Sequence, residues 1–257
     1  MLQFKNMQDY EKELLEKILN SKFYKLWRAY CFVKDFIKDP NKTLKDINRS
    51  QIKAPIESDD NTFDISKYKF SIDWTHQAIG NFRANLLPLK NKINHGLEVG
   101  AFEGRATVWL AENLLARKKS TLTTVDIFET AKQPSGIDFD MKKIYKNYLY
   151  NIKASGKKRQ ITTKIGKSQE VLRSLPLNHY DYIYIDGSHR TDDTLEDAVL
   201  CHRLLKNGGF MIFDDYEGAP DKEIPETPRP AIDAFVNVFQ EQYQVIAENY
   251  QLVLKKN

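Results

Sequence analysis

The sequence predicts an α/β protein: a doubly wound, mostly parallel, seven-stranded sheet with an N-terminal helical extension. Three observations carry this. From residue 95 onward, short apolar runs alternate with amphipathic stretches of helical length, the pattern of successive βα units. Polar and acidic residues recur just past the ends of those runs, at the sheet edge where such folds bind ligands. The last two runs, "QYQVIAE" and "YQLVLKK", are separated by Asn249 alone and read as a closing hairpin.

Taken in order, residues 8–38 read as one or two helices. "YEKELLEKIL" has leucine and isoleucine at helical spacing,. "FYKLWRAYCFVKDFIK" follows, with aromatics among basic residues, and then a polar, turn-rich linker, "DPNKTLKDINRSQIKAPIESDDN",. "SIDWTHQAIGNFRANLLPL" reads as a helix ending near Pro88, because the residue before proline disfavours the helical region. The division is therefore 1–90, a helical extension and linker, and 91–257, the α/β domain. In that domain "GLEVG" is a strand and 104–117 a helix. "LTTVDIF" is a strand and 139–154 a helix; "QITTKIG" is a strand and 168–174 a short helix. "YDYIYID" is a strand and 191–205 a helix; "GGFMIFDD" is a strand and 229–241 a helix.

Composition narrows the class. The 257 residues are 41% hydrophobic and 29% charged, with a mean hydropathy of −0.56, which is globular rather than disordered. A net charge of +4, without a clustered patch, does not point to nucleic acid. Two cysteines, Cys31 and Cys201, make no disulfide framework and fit a reducing compartment,. The first residues, "MLQFKNMQDYEKELLEKIL", carry acids too early for a signal peptide,. No apolar run approaches the ~18 residues of a membrane span. A cytoplasmic protein is expected.

The strand ends carry the chemistry. Gly100 and Gly104 flank the turn after the first strand in "LEVGAFEGRATVWL", where glycine permits a tight turn and close approach of a ligand. The pattern is not G-x-G-x-x-G, because Phe102 stands where a glycine is common. Glu98 and Glu103 beside the glycines favour a cationic ligand over a diphosphate, which seeks an uncovered helix N-terminus. Asp126, ending the second strand, suits a ribose diol, since a carboxylate accepts from both hydroxyls.

Together "LEVGAFEGRATVWL", Asp126, "YDYIYIDGSH" and "LLKNGGFMIFDDY" resemble the class I S-adenosylmethionine-dependent methyltransferases over roughly residues 95–255. The resemblance implies that Glu98, Gly100 and Gly104 line the methionine part of the cofactor. It implies that Asp126 holds the ribose and that Ile127 and Ser168 lie near the adenine.

A second constellation follows the fourth and fifth strands. Asp186 ends the fourth and Asp214-Asp215 the fifth. Neighbouring strands lie about 4.8 Å apart, so these carboxylates can converge. Converging acids repel unless a cation joins them, and oxygen ligands suit Mg²⁺. His189, three residues past Asp186, can accept a proton near neutral pH. Asp-x-x-His followed by an acidic pair, with "TPRPAIDAFVNVF" after it, resembles the metal-dependent sugar O-methyltransferases of macrolide biosynthesis. That resemblance implies Mg²⁺ on Asp186, Asp214 and Asp215, His189 as catalytic base, and a sugar, glycoconjugate or other small-molecule acceptor. Plainer readings stand beside these: turn glycines at 100 and 104, a capping or cofactor-contacting Asp186, a simple turn at Asp214-Asp215, and a loop histidine.

The aromatic-basic stretch, with Lys22, Lys25, Arg28, Lys34 and Lys38 among its rings, fits an interfacial membrane helix. A helix packed on the domain or on a second subunit of a homo-oligomer is the preferred reading. Trp74 and His76 are expected either over the cofactor cleft or in the core.

Overall fold

The strands are β1 (His95–Val99), β2 (Thr121–Asp126), β3 (Ile161–Ile165), β4 (Tyr180–Ile185), β5 (Leu205–Phe213), β6 (Tyr243–Glu248) and β7 (Leu252–Lys256). They form one sheet in the order β3-β2-β1-β4-β5-β7-β6. The pairs β3–β2, β2–β1, β1–β4 and β4–β5 are parallel, and β5–β7 and β6–β7 antiparallel. This is the Rossmann-like arrangement the alternation predicts, closed by the expected hairpin. The computed structural model describes residues 63–129, 139–217 and 227–257, all within one compact unit, Lys53–Asn257. The helices expected within 8–38, and with them the aromatic-basic stretch, lie outside the described residues.

The helices are α1 (His76–Asn81), α2 (Arg105–Leu114), α3 (Met141–Ala154), α4 (Ser168–Leu172), α5 (Thr191–Leu204) and α6 (Arg229–Val238). Asp140 caps α3 by accepting from the Lys143 N–H at 3.1 Å, which satisfies one of the amides a helix start leaves open. The stretch 71–89 is not one helix. It is extended to Trp74, then α1, then a π-helical turn at Phe82–Leu86 and a 3₁₀ turn at Leu87–Leu89. Pro88 lacks the N–H that a continuing helix needs. The fifth strand begins earlier than expected, at Leu205, because "KNGG" joins it through an irregularity in the β4–β5 register.

Side chains alternate across the pleat. Leu97, Val99, Ile183 and Ile185 face one core, with Cys201, Phe213 and Phe235. Tyr182 and Tyr184 face the other, with Phe82, Trp109 and Tyr148. Both layers bury aromatic and branched side chains, each worth roughly 1.5–3 kcal/mol when fully removed from water. Among the described residues, no helix is long and apolar enough to cross a membrane.

Candidate active site

The sheet ladder runs one residue beyond the strands and so fixes the residues that follow them. The Gly100 N–H donates to the Val125 carbonyl at 2.8 Å, Asp186 to Val99 at 2.7 Å, and Asp214 to Ile185 at 2.9 Å. Since β1 and β4 are neighbours that run to opposite halves of the sheet, a crevice opens between their carboxyl ends.

On the β1 side, Gly100 and Gly104 have φ of 87° and 80°, a left-handed backbone that favours glycine. Asp126 accepts from the Ala101 and Phe102 N–H groups through Oδ2, at 2.7 and 2.9 Å. Its Oδ1 accepts from the Phe128 N–H at 2.7 Å. The carboxylate therefore shapes both loops at once, and Oδ1 keeps capacity for a further donor. Glu98 is fully buried. Its Oε2 accepts from Thr107 Oγ1, whereas Oε1 has no hydrogen-bond partner. Burial pushes this carboxyl well up, against the Thr107 bond, and the charges of Asp186 and Asp126 add to the rise. Glu103, also buried, accepts from Ser71 and Asn147 and so pins residue 71 and α3 to the loop. Trp74 is 46% exposed and packs at a tilt on Phe102 and edge-on against Phe139, with centroids 5.2 and 5.7 Å away. It thus stands on the cofactor loop rather than in the core; His76 opens α1. Ile127 is half-buried at the head of the β2 loop.

These features fit S-adenosylmethionine. An orphaned buried acceptor beneath the loop suits a cationic ligand. At Gly100 the space is already shared with the β4 loop, so no side chain intrudes between loop and ligand.

On the β4 side, one ligand atom each from Asp186, His189 and Asp215 lie within 4.8 Å of one another. His189 Nε2 is 2.9 Å from Asp215 Oδ2 and 4.0 Å from Asp186 Oδ1. Desolvation lowers the imidazole's pKa, but the bonds to Asp186 and Asp215 and their charges outweigh it and raise it to about 10. Asp186 Oδ2 accepts from Tyr184 Oη at 2.9 Å, and Asp215 Oδ1 accepts from Tyr250 Oη. Burial raises the Asp186 carboxyl, the His189 bond opposes it, and the Asp215 charge adds to the rise. Asp215 has φ 53°, a left-handed conformation that aspartate tolerates better than most residues. Asp214 lies under this group, buried, with Oδ1 accepting from Gln251 Nε2 at 2.6 Å. The structure thus gathers two of the three expected acids around the histidine, with the third beneath them held by the hairpin. The two carboxylates suit a hard divalent ion completed by water or acceptor oxygens.

The Ser168 hydroxyl, at the start of α4, donates to Asp197 Oδ2 at 2.9 Å. Asp197 was not singled out from the sequence. It is buried on α5 among Thr194, Ala198 and Cys201, and an acid inside a helix's apolar stripe is the signal that marks it. Burial pushes it up to about 7, the Ser168 bond opposes this, and the charges of Asp193 and Glu196 reinforce it. A carboxyl raised on folding stays protonated while the unfolded chain ionises. Stability should therefore fall as pH rises from about 4 to about 7. Asp197→Asn should remove most of that fall, on the order of 4 kcal/mol, as urea titrations at pH 5 and pH 8 would show.

Comparison with known proteins agrees with this geometry. Residues 97–216 match a family model described as a methyltransferase domain. An uncharacterized protein of Acanthamoeba polyphaga mimivirus is 27% identical over 123 residues, 47% of this chain and 51% of that protein. The chain thus spans about half the length of that curated relative. Among solved structures, the O-methyltransferase NovP superposes with a TM-score of 0.52 at 17% identity, over 70% of this chain and 79% of NovP. The O-methyltransferase TomG of Streptomyces achromogenes, in complex with S-adenosylmethionine, gives 0.50 at 17% identity, over 66% and 77%. The S-adenosylhomocysteine-bound methyltransferase PaMTH1 of Podospora anserina gives 0.52 at 16% identity, over 93% and 97%. Residues 97–216 thus match a methyltransferase domain, and the strand order, the glycine loop and Asp126 are those of the class I S-adenosylmethionine-dependent methyltransferase fold.

Proposed function

We propose that this chain is an O-methyltransferase that works with a divalent ion, Mg²⁺ by its oxygen-rich donor set, on a hydroxyl of a sugar, glycoconjugate or related small molecule. The convergence of Asp186, His189 and Asp215 beside the Gly100 loop carries this reading. Two of the structural neighbours described above are O-methyltransferases by name, which favours oxygen as the atom methylated. An acceptor with adjacent hydroxyls suits the site best, because a vicinal pair can chelate.

When bound, S-adenosylmethionine supplies an electrophilic methyl group, and a divalent ion lowers the pKa of an acceptor hydroxyl. The chain's own residues do the rest. The β1–α2 loop and Asp126 orient the donor, and alignment of this kind supplies much of the rate. Asp186 and Asp215 hold cation and acceptor on the β4 side. His189, with Nε2 2.9 Å from Asp215 Oδ2, would take the acceptor's proton, and a cation held by the carboxylates would favour its neutral form.

A second reading dispenses with metal. The 2.9 Å contact between His189 and Asp215 is a histidine–carboxylate pair that is complete without an ion. Chelation separates the two readings. Turnover of a vicinal-diol acceptor should vanish with excess chelator and return with Mg²⁺; unchanged turnover would favour the second. Calorimetry tests the common ground. S-adenosylmethionine should bind saturably to the wild type and much more weakly to Asp126→Ala, which also strips the Ala101, Phe102 and Phe128 amides of their acceptor. No binding by folded wild-type protein would defeat both readings.

A further inference from the structure

Two acids of the β4–β5 edge, Asp214 and Asp215, take donors from the turn between β6 and β7. Tyr250 Oη bonds Asp215, and Gln251 Nε2 bonds Asp214 Oδ1. The Gln251 amide cannot rotate freely, because Asn81 Nδ2 donates to its Oε1 at 3.0 Å. Asn81 is held in turn. Its Nδ2 donates to Asn249 Oδ1 at 2.8 Å, and Asn249 Oδ1 also accepts from the Gln251 N–H at 3.1 Å. Gln251 is fully buried and Asn81 nearly so. A buried amide network of this kind has one low-energy orientation, since turning either amide would face like groups together. The next residue after Asn81 serves the neighbouring acid. Phe82 meets Tyr184 edge-on, with centroids 4.9 Å apart and planes at 88°, and Tyr184 donates to Asp186. Adjacent side chains at the junction of α1 and the π-helical turn therefore contact the donors of two different acids.

We propose that Gln251, oriented by Asn81, is a positioning residue for the divalent-ion site. It fixes the buried Asp214 carboxylate through Oδ1 and with it the chain segment that carries Asp215, a member of the Asp186–His189–Asp215 group; this rests on the metal-assisted reading above. Groups that orient metal-binding side chains typically affect metal affinity 10–100-fold.

Gln251→Met keeps the length of the side chain and removes the donor. Calorimetric Mg²⁺ affinity should drop about 10–100-fold, and Asn81→Ala should lower it by a smaller factor. The spectrum of Mn²⁺ bound in its place should change in both variants. S-adenosylhomocysteine affinity should stay at the wild-type value, because neither residue bonds to the β1–α2 loop or to Asp126. A Gln251→Met protein that binds S-adenosylhomocysteine normally and Mg²⁺ as tightly as wild type overturns the proposal. If that variant does not fold, Asn81→Ala decides in the same way. Wild-type protein that binds S-adenosylhomocysteine but no Mg²⁺ overturns the metal reading and this proposal together. Metal binding that the substitutions leave untouched overturns the proposal alone.

Discussion

His189→Gln should lower the single-turnover rate of methyl transfer by ~10²–10⁴-fold, the usual contribution of a general base. Mg²⁺ and S-adenosylmethionine should still bind. Glutamine keeps a hydrogen-bonding group near Asp215 but cannot usefully accept the acceptor's proton. The pH dependence gives a second handle. Without an ion, Asp186 and Asp215 hold the imidazolium up to about 10. This folded value lies above the unfolded one, so the pair contributes stability that is complete below about pH 6.5. That stability is lost as pH rises through about 10. Adding Mg²⁺ should move the titration of the His189 ring protons, followed by NMR, to lower pH, because the two carboxylates then face the cation. Near-wild-type single-turnover rates in His189→Gln, with an acceptor the wild type methylates, would reduce the histidine to a substrate contact.

Gly100→Ala should do the most damage for the fewest atoms. The added Cβ would lie 1.8 Å from the Asp186 carbonyl oxygen and 2.4 Å from its carbon. Both are backbone atoms held in the ladder by the Asp186–Val99 bond, so no flexible side chain can give way. The φ of 87° adds a conformational cost that glycine does not carry. Either the β1 loop or the β4 end must move, and Asp186 sits on that β4 end. The variant should lose several kcal/mol of stability, in the range of severe overpacking and backbone strain. It should also lose cofactor binding, read as the absence of a thermal shift with S-adenosylhomocysteine. Gly104→Ala should be milder, because its Cβ would meet a Tyr148 ring carbon at 2.9 Å rather than backbone.

Fold and site were legible in the sequence to different depths. Strand–helix alternation from residue 95 and the closing hairpin are local signals: each rests on the period of apolar residues within one segment. The residues directly after strand ends were legible for the same reason. In a parallel sheet the carboxyl ends share one edge, so Gly100, Asp126, Asp186, His189, Asp214 and Asp215 could be assigned to one rim from chain order alone. The helix read through 71–89 failed at its start, which is extended to Trp74, and from Phe82 onward, where π and 3₁₀ turns replace the α-helix before Pro88.

What chain order could not decide is which groups meet across long separations. Asn81 and Gln251 are joined over 170 positions, and the local pattern of neither segment signals the pairing. Asp197 takes the Ser168 hydroxyl only because α4 and α5 pack together. Asp214 and Asp215 are adjacent and chemically alike, yet one is buried against the hairpin and the other contacts the histidine. Their order follows from the left-handed turn at Asp215. The sequence alone therefore determined the sheet, its ligand-binding edge and the residue types along it, because those depend on local periodicity. Tertiary structure decided which oxygen faces which donor, because hydrogen-bond direction depends on side chains that only the folded packing brings within 3 Å.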